Sequence, residues 1–152
     1  MSTDLAAIAR PSRPKEWPFV SVVVPTRNRA PSLKQLLEAL AAQVYPSKRL
    51  EVIVVDNSSI DNTEEVVDEA NSWDLFPVRY LRKQDDGPAA SRNRGAEMAS
   101  GDVLAFTDSD CIPSPAWLRN GVSTFDDGVG VVCGPIEPTW VTGDQPFFSH
   151  QI

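Results

Sequence analysis

The feature that most constrains this fold is a pattern that recurs along the chain. A short β-branched or apolar run is stopped by a polar cluster, and residues at helical spacing follow. Phe19 to Val24 stops at Pro25-Thr26-Arg27-Asn28-Arg29, Leu50 to Val55 stops at Asp56-Asn57-Ser58-Ser59, and Val103 to Phe106 stops at Thr107-Asp108-Ser109-Asp110. Short apolar runs bounded by polar residues read as buried strands. Between them, Leu33, Leu36, Leu37, Leu40 and Val44 share one helical face after Pro31, and Tyr45-Pro46 ends that helix. Val66, Val67, Ala70 and Trp73 line a second helix, capped by Asp61 or Thr63. Val78 to Leu81 is a short third strand. A third helix, rich in small residues, opens at Gly87-Pro88 and runs to about Ala99, and Gly101 closes it. Pro115 opens a fourth helix toward Phe125, and Val129 to Cys133 reads as a fifth strand. Strands alternating with helices imply an α/β domain, a mostly parallel sheet with helices on both faces. Ligands of such sheets bind outside the carboxyl ends of the strands, where all three polar clusters fall.

Within the last cluster, Asp108 and Asp110 stand two positions apart. In an extended chain such residues point the same way, and two carboxylates aimed at one point need a cation between them. Oxygen ligands suit hard divalent ions, Mg²⁺ or Mn²⁺. The alternative is a polar strand exit that caps the next helix. The net charge of −7 over 152 residues argues against nucleic acid as the main partner, which needs a basic footprint. It leaves room for a nucleotide whose phosphates a metal neutralises. Two cysteines, Cys111 and Cys133, make neither a disulfide framework nor a zinc site, and are expected to be reduced and structural. No apolar run reaches the length of a membrane span, and no export signal is evident.

Four segments, V-S-V-V-V-P-T-R-N-R (Val20 to Arg29), V-I-V-V-D-N-S-S-I-D-N-T (Val52 to Thr63), G-P-A-A-S-R-N-R-G-A-E-M-A-S-G-D (Gly87 to Asp102) and F-T-D-S-D (Phe106 to Asp110), together resemble the nucleotide-binding half of the family 2 glycosyltransferases. Their order and spacing carry the likeness, which spans about residues 19 to 135. It implies a Rossmann-like glycosyltransferase-A fold and an inverting, metal-dependent transfer of sugar from a nucleoside diphosphate, expected to be a UDP-sugar. Pro25, Thr26 and Arg27 would line the base pocket, and Asp56 would accept a hydrogen bond from the ring N–H of uracil or a similar base. Gly87 would let the backbone approach the donor, and Arg92 would lie near base and ribose. Asp110 would hold Mn²⁺ or Mg²⁺ shared with the two phosphates. Asp108 would meet the ribose or a metal-bound water, with Ser109 between the two acids. Arg94 reads as a surface residue and Asn93 as a loop support.

The chain departs from that family pattern at its far end. The resemblance implies a catalytic Asp or Glu well beyond the Asp-x-Asp motif. The acids that remain, Asp126, Asp127, Glu137 and Asp144, match no such motif, so no general base is assigned. His150, near the last residue, reads as part of a tail. The expected division is an N-terminal arm over residues 1–18, a nucleotide-sugar-binding domain over 19–135, and over 136–152 the start of an acceptor-side region. Trp140, Phe147 and Phe148 there suggest a fragment of a longer transferase or a natural truncation. The acceptor (polysaccharide, lipid or small molecule) is not legible. The expected location is cytoplasmic; Arg10, Arg13 and Lys15 are the only hint of contact with a membrane face. Two other readings stand beside the transferase. One is a non-catalytic nucleotide-sugar-binding or interaction module. The other is a nucleotidyltransferase, disfavoured because the loop P-T-R-N-R-A lacks the glycines that would hold a triphosphate.

Overall fold

A computed structural model describes residues 16–84, 87–125 and 128–137. Four strands, β1 (Val20–Thr26), β2 (Leu50–Asn57), β3 (Val78–Lys83) and β4 (Val103–Phe106), form one sheet in the order β3-β2-β1-β4. Every pairing is parallel: Val22 sits opposite Val52 and Ala105, and Val54 opposite Tyr80. Four helices alternate with the strands: α1 (Ala30–Ala41), α2 (Thr63–Asn71), α3 (Gly87–Met98) and α4 (Trp117–Thr124).

Side-chain alternation assigns the two faces. Val20, Val22, Val24, Val52 and Val54 join Leu33, Leu36, Leu37 and Leu40 of α1, Val66, Val67 and Ala70 of α2, and Leu118 and Val122 of α4 in one apolar cluster. α3 packs on the opposite face, against β1 and β2. There Val23 and Val55 stand so close to Gly95 that a Cβ at that position would lie 2.3 Å from Val23 Cγ1. Central parallel strands covered on both faces become continuous apolar runs, and β1 and β2 are buried along their whole length.

The helix starts are tied together. The Asp61 carboxylate accepts from the backbone N–H of Ala30 (2.9 Å), and from both the N–H and the hydroxyl of Thr63 (3.2 and 2.5 Å). One acid thus satisfies the N-termini of α1 and α2, where negative charge is favoured. Burial pushes its carboxyl up, but the bonds from Thr63 and Ala30 outweigh that and hold it below the usual aspartate value.

Several expectations need correction. No strand forms over residues 129–133; they are largely exposed, Val131 at 79%. A β-branched run becomes a strand only where a sheet edge and a covering layer receive it, and among the described bonds β4 pairs with β1 alone. β4 itself is only half-buried. Val103 and Ala105 face the core, whereas Leu104 and Phe106, on the α3 side of this edge strand, are 40% and 45% exposed. α1 ends at Ala41, so Val44 leaves its apolar face; it is exposed, and its N–H donates to the Pro115 carbonyl. Cys133 is exposed and Cys111 half-buried, so neither is a core residue. Trp17, read as part of the arm, packs edge-on against Tyr45, whose hydroxyl donates to the Pro18 carbonyl (2.7 Å). No helix of the described residues is long and apolar enough to cross a membrane.

Candidate nucleotide and metal site at the carboxyl edge of the sheet

The loops that leave the four parallel strands lie along one edge, and two of them clasp each other. Asn28, after β1, donates its N–H to the Ser59 hydroxyl (2.8 Å), while its side-chain carbonyl accepts from the Ile60 N–H (2.8 Å). Both loops carry left-handed backbone, at Asn28 (φ 52°) and Ser58 (φ 60°). Such conformations cost energy in non-glycine residues and gather at functional loops. Ser58 donates to the Lys83 carbonyl (2.8 Å) and Arg82 to the Ser59 carbonyl (2.9 Å), so the end of β3 braces the β2 loop.

The residues expected to meet a nucleotide fall into two groups. Pro25 and Thr26 end β1 and are buried; Arg27 follows on the exposed loop. Asp56 is fully buried and bonded within the protein. One oxygen accepts from the Ser59 N–H (3.0 Å) and hydroxyl (2.5 Å), the other from the Tyr80 hydroxyl (2.5 Å). Burial, followed by this bond to the carboxylate, raises the Tyr80 phenol well above its usual value, so Tyr80 stays a donor. Asp56 therefore acts as the knot of the β2–β3 edge, on the face that carries α1 and α2.

Sequence reasoning passed over its neighbour. Asn57 projects to the α3 face, is 6% exposed, and its side-chain carbonyl has no hydrogen-bond partner among the described residues; the Thr26 hydroxyl is likewise unpartnered. A buried polar atom without a partner is uncommon and costs about 1–3 kcal/mol. Both lie at the edge of a parallel sheet where ligands bind, Thr26 in register with Asp56 on the α1 face and Asn57 on the α3 face. The signal available in the sequence was the pair Asp56-Asn57 at a strand exit, in which alternation sends one side chain to each face.

The second group surrounds the acidic turn. β4 ends at Phe106, the Thr107 N–H still donates to the Val23 carbonyl (3.3 Å), and Ser109 and Asp110 lie in a turn closed by the Cys111 N–H on the Asp108 carbonyl (3.0 Å). Both aspartates thus lie beyond the last residue of β4 and do not project from the strand itself. A turn carries them, and Ser109 between them is buried. Each carboxylate is about half-exposed and has an arginine counter-ion, Arg92 of α3 on Asp108 and Arg29 of the β1 loop on Asp110. Arg92 was expected near base and ribose; Arg29 was not singled out. Arg94 pairs with Glu97 on the exposed side of α3, in keeping with a surface role. Gly87 opens α3 with a positive φ of 77°, and among the described residues nothing lies within 4 Å of where its Cβ would sit, so a ligand can approach the backbone there.

Among the described residues no group of three or more His, Cys, Asp or Glu could hold a metal. Two half-exposed carboxylates do not suit a closed structural ion. They do suit a small hard cation that keeps several waters and takes its remaining oxygens from a substrate's phosphates. Asp108 and Asp110 fit that role.

The chain matches the description "Glycosyl transferase family 2" over residues 21–145. It belongs to that family. Glycosyltransferase AglE of Haloferax volcanii is 41% identical over 128 residues, which cover 83% of this chain and 42% of AglE. The chain thus spans under half the length of that relative. Among solved family 2 structures, the mannosyltransferase PcManGT from Pyrobaculum calidifontis, in complex with GDP-Man and Mn²⁺, superposes with a TM-score of 0.68 at 32% identity, over 72% of this chain and 33% of that one. S. aureus TarS 1-349 in complex with UDP-GlcNAc gives 0.62 at 31% identity, over 66% of this chain and 29% of that one. The parallel sheet and its helices are thus the glycosyltransferase-A fold.

Proposed function

We propose that this chain is the donor-binding half of a metal-dependent glycosyltransferase that moves a sugar from a nucleoside diphosphate to an acceptor hydroxyl with inversion. The observation that carries this reading is the make-up of the sheet's carboxyl edge. Two carboxylates follow β4, each paired with an arginine, one from the β1 loop and one from α3, and two buried polar atoms without a partner among the described residues lie at the ends of β1 and β2. The first set suits a divalent cation and a diphosphate; the second suits a base. The solved relatives support the assignment, since one is a complex with GDP-Man and Mn²⁺ and another a complex with UDP-GlcNAc.

Each residue then has a task. Asn57 and Thr26, with Pro25 and Arg27 around them, take the base and ribose. The base-reading role thereby moves from Asp56, which is enclosed, to the next residue. Gly87 allows the donor close to the start of α3. Asp110 and Asp108 hold Mn²⁺ or Mg²⁺, which when bound supplies Lewis-acid stabilisation of the departing diphosphate. Inversion requires a base that takes the acceptor's proton, and none of the residues described here is assigned that role. The donor is expected to carry uracil, with GDP-sugars the competing class. Residues 136–152 are read as the start of the acceptor side, and the location as cytoplasmic.

Thermal unfolding across UDP, GDP and their sugar conjugates, each with Mn²⁺ and with chelator, tests the reading. A ligand that binds only the native state raises the midpoint by mass action. One nucleotide should raise it by several degrees with Mn²⁺ and little with chelator, and Asp110→Ala should abolish the difference. Stabilisation by nucleotide that ignores both Mn²⁺ and Asp110 would remove the metal assignment. No stabilisation by any nucleotide would remove the donor site.

A further inference from the structure

We infer that Arg29 and Arg92 serve as exchangeable counter-ions that couple metal binding to diphosphate binding, so that the protein takes the cation appreciably only together with the nucleotide. This rests on the donor site proposed above and concerns how that site fills. Three observations carry it. Each acid after β4 is occupied by one arginine, Asp110 by Arg29 and Asp108 by Arg92. The two arginines come from separate elements, the β1 loop and α3. All four side chains are between 37% and 52% exposed, so each pair can open toward solvent without disturbing the core.

The consequence follows from charge. A divalent cation arriving alone must part both carboxylates from their arginines and then sit beside two stranded positive charges. Parting a half-exposed pair costs about two- to fivefold in affinity, and repulsion by the stranded guanidiniums adds to that. A diphosphate arriving alone finds arginines already engaged and two carboxylates that repel it. When both arrive together, the cation takes the carboxylates and the diphosphate takes the guanidiniums, whose planar forks match phosphate oxygens. Four charges are exchanged and none is left unpaired. By linkage, the factor by which nucleotide strengthens metal binding equals the factor by which metal strengthens nucleotide binding. The arginine pairs also screen the charge of the acidic turn from stray cations. This is a positioning role, distinct from transfer chemistry.

The measurement is Mn²⁺ affinity, read by the electron paramagnetic resonance signal of free Mn²⁺, without nucleotide and with saturating UDP or GDP. The proteins are the wild type, Arg29→Gln, Arg92→Gln and Arg29→Lys. In the wild type, nucleotide should tighten Mn²⁺ by at least about tenfold. Either glutamine variant should bind Mn²⁺ alone about three- to tenfold more tightly than the wild type, and nucleotide should then tighten it much less. Arg29→Lys, which keeps the charge, should stay near the wild type for Mn²⁺ alone. The exposed positions leave folding unaffected, which circular dichroism verifies. Mn²⁺ affinity without nucleotide that is unchanged or weaker in both glutamine variants overturns the inference and leaves the donor site standing, provided that Asp110→Ala still abolishes metal binding. If no protein binds Mn²⁺ even with nucleotide, the proposed function fails and the inference fails with it.

Discussion

At the scale of single residues, the informative groups are the buried polar atoms without a partner among the described residues. Thr26 occupies the last position of β1, is 5% exposed, and leaves its hydroxyl unpartnered among the described residues. Valine has nearly the same shape and no hydroxyl, so Thr26→Val removes the desolvation penalty and keeps the packing. Without ligand, the variant should be more stable than the wild type by about 1 kcal/mol in urea unfolding. The stabilisation that nucleotide with Mn²⁺ confers should shrink, corresponding to about tenfold weaker binding. A variant that is less stable, or one whose response to nucleotide is undiminished, would mean that the hydroxyl is satisfied in the free protein and not held for a ligand. Asn57→Ala should weaken nucleotide binding in the same assay. Its neighbour Asp56 shows the limit of reading residues from sequence. Its type and place at a strand exit suit base recognition, but the Tyr80 hydroxyl that occupies it lies 24 positions away, on β3. Only the register of β2 against β3 discloses that partner. Arg29 escaped notice for a similar reason, because its partner Asp110 lies 81 positions away.

At the scale of elements, what the sequence disclosed depended on whether an element is central or peripheral. β1 and β2 have covering layers and neighbours on both sides, so their apolar runs alone identify them. β4 and residues 129–133 depend on what lies beside them, and the same kind of run there gives a half-buried edge strand in one case and no strand in the other. α3 is the element that the site depends on most, because it carries both Gly87 and Arg92. Its apolar periodicity is weak, and it seats on the sheet through small residues instead. Gly95→Ala places a Cβ 2.3 Å from Val23 Cγ1 and 3.2 Å from Val55 Cγ2, both on buried valines of central strands. The helix must lift to relieve this, at a cost of about 2 kcal/mol. Lifting α3 also moves Arg92 away from Asp108, so nucleotide affinity should fall along with stability. Adding Val23→Ala should recover part of both, and a double-mutant cycle measures the coupling. Strictly additive losses would mean that Val23 does not set the height of α3.

At the scale of the whole molecule, the two ends of the sheet have opposite characters. The carboxyl end holds exposed, exchangeable ion pairs. The amino end holds a buried polar clamp that joins three strands and the loop between α3 and β4. Glu51 of β2 accepts from the Ser21 hydroxyl of β1 (2.6 Å) and the Ser100 N–H (2.8 Å), with Arg79 of β3 at 3.6 Å. Ser21 accepts in turn from the Gly101 N–H (2.8 Å), and Arg79 donates to the Met98 carbonyl (2.6 Å), where α3 ends. A rigid clamp at one end lets the other spend its charges on ligands. Burial pushes the Glu51 carboxyl up, but the bonds from Ser21 and Ser100 and the charge of Arg79 outweigh it and hold the group below its usual value of 4.5. A carboxyl depressed by folding contributes stability that is complete above its unfolded value and is lost as pH falls through the folded one. Acidification from about pH 4.5 down through the lower folded value should therefore loosen the clamp progressively. Glu51→Gln keeps the shape and an acceptor but discards the charge. At neutral pH it should be less stable than the wild type by about 1–2 kcal/mol, since bonds to a charged acceptor exceed neutral ones by that order. The difference should close on acidification, as the wild-type side chain becomes neutral too. Urea unfolding of both proteins at about pH 7 and about pH 3.5 decides the matter. A gap that stays constant between the two conditions would show that the Glu51 charge contributes nothing to the clamp, and that its hydrogen bonds alone hold the amino end together.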